Sequence, residues 1–484
     1  MGAPRTIVFA MLADTGHYTG TFRLARRLRA QGFRIVYVGM ADFADLVRAQ
    51  GFEFLPFAQD LVPAGYVTAF AASSRNRPQG LLPRWRQRRT DEALFAAYVR
   101  RIEDGSLDQL LRSCRTDLLI CDTFLWHVAL RALGAGIPTI GLSVTLTYRR
   151  NGRIPPIVTG LRPGPEWWSP LVVRGTWSWL RLKFFFTKRV ASRLLGLYRF
   201  PHRMHHLVGV FLRIARRSGY PAKEGRTWWF GEIGPRLALS EIVLGPEAFQ
   251  FPGAPKEGKL YLGDFIDTER CEESLDDDPG EDRPLVYCSL GTGALFYPHA
   301  GRFFRAVVAA SRLRPDWRFT LHVGSGTDIA ALGTAPPNLR IRARVPQLAL
   351  LRRAAVMVNH GGFQSVMECI HFGVPMVICP GLRDQPGIAA RAAYHGIAYT
   401  TSMAGITPES LVGLVERAMR DGALRDAIAR LQRAIASEAG MEAALRFIAS
   451  MLRERGSGSA SPVEPARAED RRVLSGMSET PDAR

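Results

Sequence analysis

The stretch from residue 354 to 396, AAVMVNHGGFQSVMECIHFGVPMVICPGLRDQPGIAARAAYHG, limits what this chain can fold into more than any other. Ala354 to Val358 is an apolar run of strand type, broken by Asn359-His360-Gly361-Gly362. Phe363 to Phe372 has helical spacing, and Gly373 stands where a helix would end. Val374-Pro375 opens a second apolar run, Met376 to Cys379, which Pro380-Gly381 stops, with Asp384-Gln385 at its tip. Strand, glycine turn, helix and strand in that order specify a unit of a parallel α/β sheet.

The chemistry of this unit points to a phosphate. Two glycines let the backbone approach a ligand closely, and the helix that follows presents unpaired N–H groups and a partial positive charge. His360 and Ser365 add side-chain donors at the same helix end. Glu368, one turn beyond Ser365, could accept ribose hydroxyls, and Asp384 with Gln385 could grip the hydroxyls of a sugar. Phosphate, ribose and hexose taken in order describe a nucleotide sugar.

The amino-terminal half has the same grammar. Strands are expected at Thr6–Leu12, Arg34–Met40 and Phe52–Phe57, separated by helices that end near Gly32 and Gly51. This is the first half of a doubly wound sheet without the dinucleotide spacing of glycines. Gly16-His17 falls in a turn at the carboxyl end of the first strand, where ligands of such sheets bind. Thr116–Cys121 ends in Asp122, Thr139–Leu142 follows, and strand character returns at 236–240 and 259–262. Asp267 to Arg283 is acidic and reads as a surface linker. Leu285–Leu290 then leads into Gly291-Thr292-Gly293, Arg318–Val323 and Leu339–Ala343 follow, and Glu442–Arg453 forms a closing amphipathic helix.

Val345-Pro346-Gln347, His360-Gly361-Gly362, Ser365, Glu368, Gly373-Val374-Pro375 and Asp384-Gln385 together resemble the donor-binding signature of the inverting UDP-sugar glycosyltransferases, the family of plant, macrolide and carotenoid enzymes. The resemblance implies an α/β fold of two doubly wound Rossmann-like domains facing a cleft (GT-B). It implies an acceptor-binding domain at 1–265 with a helical insert at 160–225 and a donor-binding domain at 284–455; the acidic composition at 266–283 marks the linker between them, and the Gly, Ser, Pro, Ala and charged residues at 456–484 predict a disordered tail. The donor site would use Thr292, Arg344, Val345, Gln347, His360, Gly361, Gly362, Ser365, Glu368, Asp384 and Gln385. One position departs from the family: where an aromatic residue usually stacks on the base, this chain has Arg344. A guanidinium also stacks on flat rings, so a diphosphate-sugar donor is expected, with uridine as its base less firmly specified.

Glycosyl transfer needs a base for the acceptor hydroxyl and stabilisation for the departing diphosphate. His17 is the candidate base and Asp122 its orienting carboxylate, as in a triad without the serine. His360, Gly361, Gly362, Ser365 and Thr292 would stabilise the leaving group, so neither metal nor other cofactor is expected. A Glu-x7-Glu pair, common in retaining enzymes of this architecture, would need a Glu where Met376 stands. Inversion is therefore expected, with a lipophilic hydroxylated acceptor such as a terpenoid, carotenoid, sterol or polyketide. Two alternatives stay open: a nucleotide-sugar epimerase or hydrolase on the same fold, or a catalytically idle nucleotide-sugar-binding partner.

The net charge of +20 asks for an anionic partner, but no nucleic-acid-binding signature accompanies it. Residues 167–223 interleave Trp and Phe with Arg and Lys, and no Asp or Glu lies between Glu166 and Glu224. That pattern suits interfacial helices and predicts peripheral contact with an anionic membrane; the plainer reading is an acceptor lobe with an ordinary core. The Arg-rich stretch at 58–100 reads as a solvated loop. Six cysteines without a short-spaced pair fit a reducing compartment. No apolar run of the ~18 residues of a spanning helix occurs, and no secretory pattern precedes the first strand. A cytoplasmic protein, peripheral on the inner face of the membrane, is the expectation.

Overall fold

The structure, a computed structural model, describes residues 4–75, 81–146, 150, 152–186, 204–221, 237–256, 258–274 and 282–454. The tail at 456–484, the acidic triplet at 276–278 and parts of the 160–225 insert lie outside these residues.

Seven strands build the first sheet: β1 (Thr6–Ala10), β2 (Arg34–Gly39), β3 (Glu53–Pro56), β4 (Thr116–Asp122), β5 (Thr139–Ser143), β6 (Glu241–Val243) and β7 (Lys259–Tyr261). Their order is β3-β2-β1-β4-β5-β6-β7, all parallel. Six build the second: β8 (Leu285–Ser289), β9 (Arg318–His322), β10 (Leu339–Arg342), β11 (Ala354–Asn359), β12 (Met376–Ile378) and β13 (Ala398–Thr400). Their order, β10-β9-β8-β11-β12-β13, repeats the same winding, again all parallel. Both are doubly wound sheets, in which ligands bind beyond the carboxyl ends of the strands where the strand order reverses. In the first sheet that point lies between β1 and β4; in the second, between β8 and β11.

The sheets are buried on both faces, so their strands are apolar throughout rather than alternating. Ile7, Val8 and Phe9 of β1 are fully buried, as are Val356, Met357 and Val358 of β11. The helix Phe22–Ala30 lays Phe22, Leu24, Ala25 and Leu28 on the first sheet and leaves its arginines outward. Each large side chain so buried contributes roughly 1.5–3 kcal/mol. The helix Gly440–Glu454 runs back onto the first sheet: Gly440 packs against the Tyr261 carbonyl so closely that an added Cβ would lie 2.0 Å from it. Glu442 on that helix pairs with Arg27. At the seam, Gly245 (φ +135°) accepts the Phe363 ring, which stacks on Phe265.

Three expectations change. The stretch at 58–100 contains the helices Tyr66–Arg75 and Leu81–Glu103 instead of a loop. Its many arginines hid any single apolar stripe, and Pro83 sits in the first turn, where proline costs a helix nothing. The sixth strand is Glu241–Val243; the described residues 237–240 are not strand, although Ser240 accepts from the Gly141 amide at its edge. The turn holding His17 closes into a short helix, Thr15–Thr19, because Asp14 accepts from the Gly16 amide and caps it. Among the described residues, no helix is long and apolar enough to cross a membrane.

Candidate active site

The two switch points hold the two halves of the site. After β1, the Thr15–Thr19 helix places His17 over the end of β4, where Asp122 is fully buried. Nδ1 of His17 lies 2.5 Å from Oδ2 of Asp122. Asp122 is itself fixed, accepting from the Leu12 and Phe124 amides. This pairing holds one tautomer of the imidazole and leaves Nε2 for a substrate. Burial acts to lower the pKa of His17, but Asp122 more than offsets it, with help from Asp14 and Asp384, and the net shift is upward.

After β8 and β11, two polar residues opposite each other in the sheet, Ser289 and Asn359, fold the loops that follow. Oγ of Ser289 accepts from the Gly291 amide at 3.0 Å, and Oδ1 of Asn359 accepts from the Gly361 amide at 2.8 Å. Such side-chain turns over two residues are typical of Ser and Asn. Gly291 (φ +69°) and Gly361 (φ +78°) supply the left-handed conformations these turns require. The His360 ring is clamped between the two loops. A Cβ on Gly291 would come within 2.8 Å of its Cε1, and one on Gly362 within 2.5 Å of its Nε2.

Burial pushes the His360 pKa down to about 4, so the ring is neutral at pH 7. Its Nδ1 and the Asn359 Nδ2 are buried and have no hydrogen-bond partner among the described residues. Leaving a buried polar group unsatisfied costs about 1–3 kcal/mol, which marks this turn as a place where a polar ligand would stabilise the fold. Immediately beyond, the helix Phe363–Phe372 begins with no side-chain cap on its first amides and so offers donors to an anion.

Asp384 and Gln385 complete the rim. Asp384 lies across the cleft from the first domain and accepts from Thr145 Oγ1 at 2.6 Å. Burial raises its pKa, against the opposing effect of Thr145. Gln385 is locked in its loop: Oε1 accepts from the Gly381 and Leu382 amides, and Nε2 donates to Tyr297 Oη at 2.6 Å. Tyr297 also sets its ring 5.7 Å from that of His360.

The remaining expected donor residues form a second group at the foot of the same helix. Glu368 is fully buried, and its carboxylate accepts from Arg270, Gln347 and Gln364 at 2.5, 2.5 and 3.0 Å. Gln347 reaches toward Ser365 at 3.4 Å and accepts from Tyr287 Oη at 2.8 Å. Glu368 therefore faces the linker's Arg270 and not an open cleft, so a ribose reaching it would have to displace that ion pair. Val345 is half-buried against the core, whereas Thr292 is exposed in its loop. Arg344 is the outlying member: its side chain is 75% exposed and stands 3.9 Å from Glu273.

Sequence reasoning missed Thr145, Tyr297 and Arg270. Tyr297 stands six residues after Gly291, and Thr145 lies two past the end of β5, but nothing local marks either as facing Asp384 or Gln385. Among the described residues, no group of three or more His, Cys, Asp or Glu is arranged to hold a metal ion.

Known proteins resemble this chain in sequence and in fold. Residues 318–449, which contain the whole 345–385 signature, match the family described as "Erythromycin biosynthesis protein CIII-like, C-terminal domain". The chain is 30% identical over 223 residues to the NDP-glycosyltransferase YjiC of Bacillus subtilis, covering 45% of this chain and 56% of that protein. It is 33% identical over 174 residues to the demethyllactenocin mycarosyltransferase of Streptomyces fradiae, covering 36% and 37%. In these matches the chain spans about half, or less, of the relative's length. The zeaxanthin glucosyltransferase of Pantoea ananas aligns over 92% of this chain and 96% of its own, at 23% identity. Among solved structures, the kitacinnamycin glycotransferase superposes with a TM-score of 0.65 at 22% identity, covering 93% of this chain and all of that one. VinC, solved in complex with DTDP, superposes with a TM-score of 0.59 at 20% identity over 93% of this chain and all of its own. The resemblance read from the motifs is thus shared by a domain family, by glycosyltransferase sequences and by glycosyltransferase structures. The fold is the two-domain one of those enzymes.

Proposed function

We propose that the protein moves a hexose from a nucleoside-diphosphate sugar to a hydroxyl of a lipophilic small molecule, inverting the anomeric carbon. The observation that carries this reading is the His17–Asp122 pair at one switch point, set across a cleft from the His360 glycine turn at the other. The acceptor oxygen attacks the anomeric carbon, its proton passes to Nε2 of His17, and Asp122 stabilises the imidazolium that forms. The bond from the anomeric carbon to the diphosphate oxygen breaks as the new one forms. Neutral His360, the backbone amide of Gly362, Ser365 and the loop at Thr292 would take up the negative charge of the leaving diphosphate, the Gly361 amide being committed to Asn359. Asp384 and Gln385 would hold the hexose, Glu368 the ribose, and Arg344 with Val345 and Gln347 the base.

Uridine is the first base to test. Thymidine is the second, because VinC was solved with DTDP. The acceptor class is supported by the similarity to a demethyllactenocin mycarosyltransferase and a zeaxanthin glucosyltransferase. A peripheral position on an anionic membrane would suit such an acceptor. The test is incubation with UDP- and dTDP-hexoses and a panel of hydroxylated terpenoids, carotenoids and polyketides, followed by mass spectrometry. A product heavier than the acceptor by one hexose, with inverted anomeric configuration by NMR, supports the reading. An epimer or free sugar formed without acceptor would replace it with epimerisation or hydrolysis. Donor binding without any turnover would leave an idle binding protein.

A further inference from the structure

The helix Ser169–Phe185 has two apolar faces, and one of them is buried against the rest of the fold. Val173 and Trp177 are buried, and the Trp177 indole donates to the Ile154 carbonyl at 3.0 Å. At about 100° per residue these two lie together on one side of the helix. Trp168, Leu171, Val172, Trp179, Leu182 and Phe186 fall within an arc of roughly 100° on the other side. All six are exposed, from 46% for Val172 to 56% for Leu171 and Leu182. Trp167, just upstream, is 80% exposed and packs edge-on against Trp168. A contiguous apolar stripe of this kind on a chain's surface marks a contact with something else.

The charge around the stripe identifies the partner. Lys183 flanks it, with Nζ 4.8 Å from the Trp179 ring centroid, and Arg174 and Arg181 flank the far side. Between Glu166 and Glu224 the sequence holds twelve Lys and Arg and no Asp or Glu. A second copy of the chain would set cation against cation across this face, which is unfavourable. An anionic bilayer offers the opposite charge to the basic residues and an acyl boundary to the stripe.

We propose that the face formed by Trp168, Leu171, Val172, Trp179, Leu182 and Phe186 docks into the surface of an anionic lipid bilayer, with Arg174, Arg181 and Lys183 against the headgroups. Tryptophan is favoured at headgroup depth, and each basic residue near the surface adds about 1 kcal/mol. The inference does not rest on glycosyl transfer and would stand if the reaction were different.

The test is co-sedimentation of the full chain with vesicles of phosphatidylcholine, alone or mixed with phosphatidylglycerol. Wild type should bind the mixed vesicles at low salt and be released as salt rises. The variant Leu171→Gln/Trp179→Gln/Leu182→Gln changes only exposed positions; it should keep the wild-type melting temperature and lose binding by at least about tenfold. Arg174→Gln/Arg181→Gln/Lys183→Gln should bind less and with a shallower salt dependence. Wild type remaining in the supernatant with mixed vesicles at low salt would overturn the proposal. So would undiminished binding by both variants, or a wild-type dimer that the first variant dissolves while vesicle binding stays unchanged.

Discussion

The Thr145 hydroxyl donates to Oδ2 of Asp384 at 2.6 Å and so joins the two domains across the cleft. Thr145 follows β5 of the first sheet, and Asp384 precedes the helix Gln385–Tyr394 of the second. The same carboxylate is close enough to His17 to help raise its pKa. The residue proposed to hold the hexose thus sits beside the proposed base, as transfer between the domains requires. Thr145→Val removes the donor and leaves Asp384 free to turn. One lost hydrogen bond of this kind costs about 1 kcal/mol, so KM for the donor should rise about fivefold with kcat little changed. Steady-state kinetics check this, and an unchanged KM would separate Thr145 from donor binding.

The pH dependence follows from the sign of the His17 shift. The imidazole accepts a proton only when neutral, and its pKa lies above the ordinary 6.5. Activity should therefore fall on acidification through a pKa above 6.5. In Asp122→Asn the counter-charge is gone and burial, which lowers the pKa, is left to dominate. The acid limb of kcat/KM should move to lower pH while the maximum falls. An acid limb in the same place in both proteins would show that another group sets it.

The role proposed for His360 is that of a neutral donor, since burial holds its pKa near 4. His360→Ala should weaken binding of the nucleoside diphosphate by roughly 1–3 kcal/mol, measured by calorimetry. Gly362→Ala should do nearly as much without touching the ring's chemistry, because its Cβ would lie 2.5 Å from Nε2. Full affinity in Gly362→Ala would mean that the ring position is unimportant.

The Arg270–Glu368 pair requires a different experiment. Both side chains are almost wholly buried, and removing one partner of such a pair typically costs 3–5 kcal/mol. Glu368→Ala should therefore shift the urea midpoint substantially, so its loss of donor affinity would say little about ribose. Arg270→Met with Glu368→Gln removes both charges and should recover much of the stability. If Glu368 holds the ribose, donor affinity should stay low in that double variant; normal affinity would assign Glu368 to folding alone.

Much of this was legible in the sequence because both sheets are buried on two faces, and their strands read as plain apolar runs ended by glycine. The 354–378 unit follows that grammar closely, down to Gly373 as a left-handed cap at φ +71°. His17, Asp122 and His360 could be singled out as candidates because each lies at or beyond the carboxyl end of a strand, where doubly wound sheets bind ligands. Contacts between distant segments were not legible. Nothing near Glu368 announces Arg270, which is 98 residues away, and nothing near Asp384 announces Thr145, 239 residues away. The helices at 66–103 were missed for a local reason, their arginines masking the apolar period. The strand Glu241–Val243 was misplaced because three residues with a charged first position carry little periodicity.

The central claim is that His17 takes the acceptor proton, and His17→Ala tests it most directly. The variant should bind the nucleotide sugar with wild-type affinity by calorimetry and transfer the hexose roughly 10²–10⁴-fold more slowly, the usual worth of a general base. Transfer at near-normal rate by a folded, donor-binding His17→Ala protein would contradict it.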